Sequence, residues 1–210
     1  MVRFPERLFI TGADASVGKT FVSAVLTLGL RGCYWKPIQC GVSPCTDTEW
    51  VHEATGLPHS HFMQESYRFG EPLLPSAQHI GIEMSELKPE KQAVPNAHLI
   101  VEGAGGIMLP LNDKELVLDF MKAFKAPTLV VIRNNKGAVS QALLTLEKLN
   151  RENLPLFGIL LNGEKDLVNK QTILQYSGSC PVFEMPFLKH ITEHTLQEAF
   201  TETFLLKTCT

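Results

Sequence analysis

Apolar residues along this chain fall into short unbroken runs, separated by longer stretches where apolar and polar positions recur with helical spacing. The runs predict strands over residues 8–11, 33–36, 99–102, 128–132, 156–161 and 181–184. Thr128-Leu129-Val130-Val131-Ile132 is rich in β-branched residues and does not alternate, as in strands covered on both faces. The intervening stretches predict helices over residues 19–29, 48–55, 115–124, 139–150 and 167–176. Strand–helix alternation of this kind predicts an α/β fold, a single domain over residues 1–210 with a doubly wound, mainly parallel sheet and helices on both faces. Residues 57–96 form the least regular stretch. They are rich in Pro, His and Ser, and are expected to make an excursion on the substrate side.

Ligands of such sheets gather beyond the carboxyl ends of the strands. Asp14 and Lys19 follow the first predicted strand, Lys36 closes the second and Glu102 the third. Arg133 and Asn134 close the fourth, and Asn162 closes the fifth. Polar groups from successive strands at one edge predict a binding site there.

The segment from Ile10 to Thr20, ITGADASVGKT, gives that site its chemistry. Glycines let backbone N–H groups approach phosphates, a lysine balances their charge, and a hydroxyl completes a magnesium shell. The common phosphate-binding loop reads G-x-x-x-x-G-K-[ST]. Here Gly12 stands one place earlier, and Ala13 occupies the expected first-glycine position before Gly18-Lys19-Thr20. Phe21 and the residues after it continue without Gly or Pro as far as Leu28, which places the phosphates at the positive end of a buried helix. Gly12, Asp14, Ser16, Val17, Gly18, Lys19, Thr20 and Phe21 are the candidate nucleotide-binding residues.

A formal charge of −3 and the lack of any Lys/Arg run offer no general attraction to nucleic acid or to an anionic membrane. No apolar stretch approaches the ~20 residues of a membrane span, and MVRFPERLFI carries no signal-peptide pattern, so a cytoplasmic protein is expected. Five scattered cysteines without a C-x-x-C pair fit reduced thiols rather than a disulfide frame or zinc site. His52, His59 and His61 are expected to lie in a solvated loop rather than to bind metal.

Three further positions carry candidate chemistry. Lys36, before Pro37, reads either as a surface lysine or as a cation meeting an anionic substrate or a transferring phosphoryl group. Glu102 precedes the small-residue run Gly103-Ala104-Gly105-Gly106, expected to be a loop leaving room for substrate. Glu102 reads either as a solvated residue of a flexible turn or, with Asp47 and the Thr20 hydroxyl, as a candidate oxygen donor for Mg²⁺. Asn162 reads either as a turn residue or as an amide able to read a purine edge.

Taken together, TGADASVGKT, WKPIQCG, Cys45-Thr46-Asp47, Glu71-Pro72 with Pro75, VEGAGGIMLPL, KGAVSQALLTLE and ILLNGE resemble the dethiobiotin synthetase family of P-loop enzymes. The resemblance implies an ATP-dependent ring-forming ligation of 7,8-diaminopelargonic acid with CO₂, through a carbamate and its phosphoric anhydride, in biotin biosynthesis. It implies that Lys19 contacts the phosphates and that Thr20, Asp47 and Glu102 hold Mg²⁺. Lys36 would sit between carbamate and γ-phosphate, and Gly105 and Asn162 would contact the nucleotide. Cys40, Gly103, Ala104 and Gly105 would border the substrate. Ala138, Val139 and Ser140 would hold the substrate carboxylate from the partner subunit of a homodimer. The chain departs from the family pattern at Cys40, where Ser or Thr is frequent, at Ser140-Gln141, where Asn-His is common, and over PLLPSAQH.

Two other readings share parts of this pattern. A switching ATPase of the chromosome-positioning kind would carry an extra lysine near the loop start, where this chain has Ala13-Asp14-Ala15. An amide ligase fed by glutamine would need a second domain with a Cys/His pair, for which 210 residues leave no room.

Overall fold

The computed structural model describes residues 2–71, 81–89 and 94–206. Nine strands and six α-helices are assigned among these residues. Strands β1 (Arg7–Gly12), β2 (Cys33–Trp35), β4 (Phe62–Met63), β6 (Leu99–Gly106), β7 (Thr128–Arg133), β8 (Leu156–Asn162) and β9 (Val182–Met185) form one sheet in the order β4-β2-β6-β1-β7-β8-β9. Every neighbouring pair in it is parallel. Strands β3 (Ile38–Cys40) and β5 (Tyr67–Phe69) make a separate two-stranded parallel ribbon.

The unbroken apolar runs are explained by burial on both sides. Leu8, Ile10, Ile100, Leu129, Val131 and Leu160 point to one face, where α1 (Lys19–Gly29), α2 (Asp47–Thr55) and α6 (Glu193–Phe200) cover them. Phe9, Val101, Val130, Ile132, Ile159 and Leu161 point to the other face. There α3 (Val117–Phe124), α4 (Ala138–Arg151) and α5 (Leu167–Tyr176) contribute Leu118, Ala142 and Ile173. The expected doubly wound sheet is therefore the observed one. Among the described residues, no helix is long and apolar enough to cross a membrane.

Helices α1 and α5 keep their expected bounds, and α2 begins one residue early, at Asp47. A capping box fixes that start: Thr46 Oγ1 accepts from the Glu49 N–H at 3.1 Å, and Glu49 Oε2 accepts from the Thr46 N–H at 2.7 Å. Four elements were not expected: β3, β4, β5 and α6. Helix α6 packs on α1 so closely that a Cβ on Gly29 would lie 2.1 Å from the Phe200 ring.

Three expectations need correction. Gly103 to Gly106 do not form a loop; they continue strand β6. A Cβ on Gly103 would meet the Phe9 ring at 2.9 Å and one on Gly106 would meet the Ala13 carbonyl oxygen at 2.9 Å. Those glycines are thus demanded by close packing on β1 and the loop after it. Glu102 consequently does not close its strand; it lies inside it, fully buried. The histidines do not form a solvated loop either. His61 is buried with Nδ1 2.8 Å from the Gly32 carbonyl oxygen, and the rings of His52 and His59 stack with centroids 4.1 Å apart. Among the described residues, no group of three or more His, Cys, Asp or Glu is placed to hold a metal ion. Cys33, Cys40, Cys45 and Cys180 are free thiols, as expected; Cys209 and the stretch 72–79 lie outside the described residues, as do residues 80 and 90–93 of the predicted excursion.

Candidate active site

At the carboxyl end of the sheet lies a cleft of about 520 Å³. Its lining comes from the loop between β1 and α1 (Ala15, Ser16, Gly18, Lys19, Thr20), the β2–β3 segment (Lys36, Ile38, Cys40), the start of α2 (Asp47), and β6 with its following turn (Glu102, Ala104, Gly105, Leu109). Most residues that the sequence marks as chemical thus converge from four separate regions.

The loop owes its course to Gly12. A Cβ there would meet Val17 Cγ2 at 2.6 Å and the Asp14 carbonyl oxygen at 2.7 Å, so the returning loop leaves no room for a side chain. Ala13 can be alanine because its N–H still follows the strand, donating to the Val131 carbonyl at 3.2 Å. The extra residue is thereby absorbed. Ser16 and Gly18 take positive φ, 53° and 96°, to turn the chain into α1. Two residues at the ends of neighbouring strands hold the turn from behind. Arg133 Nη2 donates to the Ser16 carbonyl at 2.7 Å, and Asn162 Nδ2 donates to the Val17 carbonyl at 2.8 Å. With consecutive carbonyls tied outward, the loop is fixed in its nest-like course. Asp14 Oδ1 accepts from the Ala15 N–H at 2.7 Å.

Lys19 is 6% exposed, and its ammonium donates to the Asp14 carbonyl at 2.9 Å. Burial, and then the nearby Lys36 charge, lower its pKa to about 8. Lys36 is buried too, yet the outcome is opposite. Burial alone would depress it, but the carboxylates of Glu102 and Asp47 hold it above the usual lysine range. Its Nζ lies 2.7 Å from Glu102 Oε1 and 2.6 Å from Asp47 Oδ2. Thr20 Oγ1 donates to the same Glu102 Oε1 at 2.9 Å, and Tyr34 Oη donates to Oε2 at 2.8 Å. Burial, and next the Glu102 charge, keep the Tyr34 phenol protonated well above its usual range. Gln39 Oε1 accepts from the Asp47 N–H at 3.1 Å and so steadies the start of α2.

Tyr34 and Gln39 were not among the residues singled out from the sequence. A tyrosine in an apolar strand has the pattern of a core residue, so its spacing gives no signal. Other singled-out residues stand outside the cleft lining. Gly103 packs on Phe9, Val17 is buried beneath the loop, and Phe21 is half-buried in α1. At the start of α4, Ala138 is buried, Val139 is half-buried and Ser140 is exposed.

A parallel doubly wound sheet, a glycine-bounded loop leading into a buried helix, and a Lys-Thr pair at that helix start define a P-loop nucleotide-binding protein. Residues 6–195 match the AAA domain family. A ParA family ATPase from Chlorobium tepidum shares the fold, with a TM-score of 0.54 over 95% of this chain and 91% of that one, at 11% identity. Similarity at the level of sequence is narrower. ATP-dependent dethiobiotin synthetases BioD from Paramagnetospirillum magneticum and Brucella anthropi are 38% and 36% identical to it, over 90% and 93% of this chain and 92% of each relative. The one from Agrobacterium fabrum is 32% identical over 95% of both. The chain belongs to the ATP-dependent dethiobiotin synthetase family.

Proposed function

We propose that this protein converts 7,8-diaminopelargonic acid and CO₂ to dethiobiotin, with ATP going to ADP and phosphate. One amine adds to CO₂ and loses a proton, giving a carbamate. A carbamate oxygen attacks the γ-phosphorus of ATP, the bond to ADP breaks, and a carbamic–phosphoric anhydride forms. The second amine attacks the carbonyl carbon, phosphate leaves, and the cyclic urea closes. No side chain acts as a nucleophile. The protein's task is to position and to neutralise charge.

The observation that carries this reading is the juxtaposition of Lys36, Asp47, Glu102 and Thr20 beside Lys19 in one cleft. Lys19 would bind the phosphates and offset charge on the transferring group. Lys36, held by two carboxylates, stays charged and would bridge the carbamate and the γ-phosphoryl group. Two carboxylates joined through the Lys36 ammonium, and a hydroxyl on one of them, are hard oxygen donors of the kind Mg²⁺ takes, so Thr20, Asp47 and Glu102 fit that ion. Bound with the nucleotide, Mg²⁺ would supply Lewis-acid polarisation of the phosphoryl oxygens.

The remaining assignments complete the reading. Gly12, Asp14, Ser16, Val17, Gly18 and Phe21 shape the nucleotide cradle, Gly105 borders it, and the Asn162 amide, set between loop and sheet edge, would contact adenine. Cys40, Ala104 and Gly105 would flank the diamine, with Gly103 behind them against Phe9. A homodimer would bring Ala138, Val139 and Ser140 of the partner subunit to the substrate carboxylate; exposed Met108 and Leu144, which border one depression on the α4 side, support such a contact. The protein is read as cytoplasmic, with neither nucleic acid nor membrane as partner.

The test is incubation with the diamine, bicarbonate, Mg²⁺ and ATP. Cyclic urea should appear with one ADP per turnover. Diamine-independent ATP hydrolysis with no urea would overturn the proposal.

A further inference from the structure

We infer that Tyr34 is a positioning residue for the metal-side carboxylate, fixing Glu102 so that only its Oε1 atom faces the cleft. The inference rests on the proposed role of Glu102 toward Mg²⁺. It begins with the pleat. Tyr34 pairs with Ile100 across β2 and β6, and both side chains enter the same core layer. Two residues further along each chain, Lys36 and Glu102 fall on that same face. The register therefore delivers a phenol, an ammonium and a carboxylate to one point.

The two carboxylate oxygens are then treated differently. Oε1 receives Thr20 Oγ1 at 2.9 Å and Lys36 Nζ at 2.7 Å, both groups bordering the cleft. Oε2 receives Tyr34 Oη at 2.8 Å from a side chain with no exposure, which does not border the cleft. A phenol is a single donor and the Tyr34 side chain has no exposure, so its one proton is committed to Oε2. Without that bond, the carboxylate could rotate and share both oxygens among the cleft's cations. With it, Glu102 offers one oxygen in one orientation. Partners that orient metal ligands in this way characteristically change metal affinity by about 10-fold or more when removed.

Calorimetric titration of ADP with and without Mg²⁺ separates the outcomes. In wild-type protein Mg²⁺ should tighten ADP binding, and Glu102→Gln should abolish that gain. Tyr34→Phe should cut the gain about 10-fold while leaving metal-free ADP affinity unchanged. In the Glu102→Gln background, Tyr34→Phe should have no further effect, because it acts through the carboxylate alone. A full Mg²⁺ gain in Tyr34→Phe, with none in Glu102→Gln, would overturn the inference and leave the role of Glu102 intact. An equal loss of metal-free ADP binding in Tyr34→Phe would also overturn it, since a merely structural residue would do that. A full gain in Glu102→Gln would remove the metal role of Glu102 and the inference with it.

Should Tyr34→Phe fail to fold, fluorotyrosine NMR on the otherwise native chain decides the matter. The chain has three tyrosines, so Tyr67→Phe and Tyr176→Phe assign the Tyr34 signal by difference. That signal should move more with Mg²⁺ and ADP than with ADP alone. Identical spectra would overturn the inference.

Discussion

Lys36 Nζ lies 2.7 Å from Glu102 Oε1, joining the residue that leaves β2 to a carboxylate inside the neighbouring strand β6. The contact follows from register, since Trp35 pairs with Val101. Both partners are almost fully buried, so neither charge can be abandoned without cost. Removing one partner of such a pair costs about 3–5 kcal/mol, because the other charge is left buried. Lys36→Met should therefore lower both stability and turnover. Urea unfolding should show a loss of that size, and kcat should fall at least about 100-fold. A stable variant with normal kcat would remove Lys36 from the mechanism.

Lys19 should behave in the opposite sense for stability. It is buried beside another cation, and its depressed pKa records that the folded protein holds this charge unwillingly. Lys19→Met keeps the apolar stem and removes the charge. Thermal unfolding of the nucleotide-free variant should shift upward, while kcat falls by orders of magnitude because charge stabilisation of the transferring group is lost. A lower Tm with retained turnover would contradict both halves.

Asn162 ties the loop to β8 and also fills the space against which Gly18 rests. A Cβ on Gly18 would lie 2.1 Å from Asn162 Nδ2, and φ at Gly18 is 96°. Asn162→Ala should weaken ADP binding about 10-fold by freeing the Val17 carbonyl and removing the amide proposed to contact the nucleotide. Gly18→Ala should be worse. Restoring space with the double variant should recover only part of the loss, because the backbone strain remains. Calorimetry on the three variants checks the order; full recovery in the double variant would assign the whole effect to the clash.

On the surface, Glu152 receives Lys122 at 2.8 Å and Lys148 at 2.5 Å, and hydrogen bonds from these two lysines hold its carboxyl down at about 2. A folded pKa below the unfolded value means stability that is complete above about 4.5 and lost as pH falls toward 2. Glu152→Gln should thus be less stable than wild type at pH 6, with the difference shrinking below pH 4.5. Added salt should reduce it as well. A difference that grows on acidification would contradict the sign.

Much of this was legible in the order of residues. Strands covered on both faces, the loop from Gly12 to Thr20, and the polar residues at the ends of β1, β2, β7 and β8 all follow from local pattern. What was hidden depends on neighbours distant in the chain. Gly103 to Gly106 have loop composition, but their strand is required by Phe9 and Ala13, about ninety residues earlier. Tyr34 has the pattern of core until its phenol is seen on Glu102. Strands β3 and β5 have three residues each, too few to show a period. Helix α6 hides its apolar side in Leu196, Ala199 and Phe200 among polar residues, and only Gly29 of α1 reveals why it must dock closely.

In the proposed reaction both lysines serve phosphoryl transfer to a carbamate. Oxygen labelling tests it most directly. With C¹⁸O₂, supplied faster than it exchanges with water, the released phosphate should carry one ¹⁸O from the carbamate and the cyclic urea should carry the other. Mass spectrometry finding unlabelled phosphate alongside urea formation would contradict the account, because ATP would then have been cleaved by water and not by the carbamate.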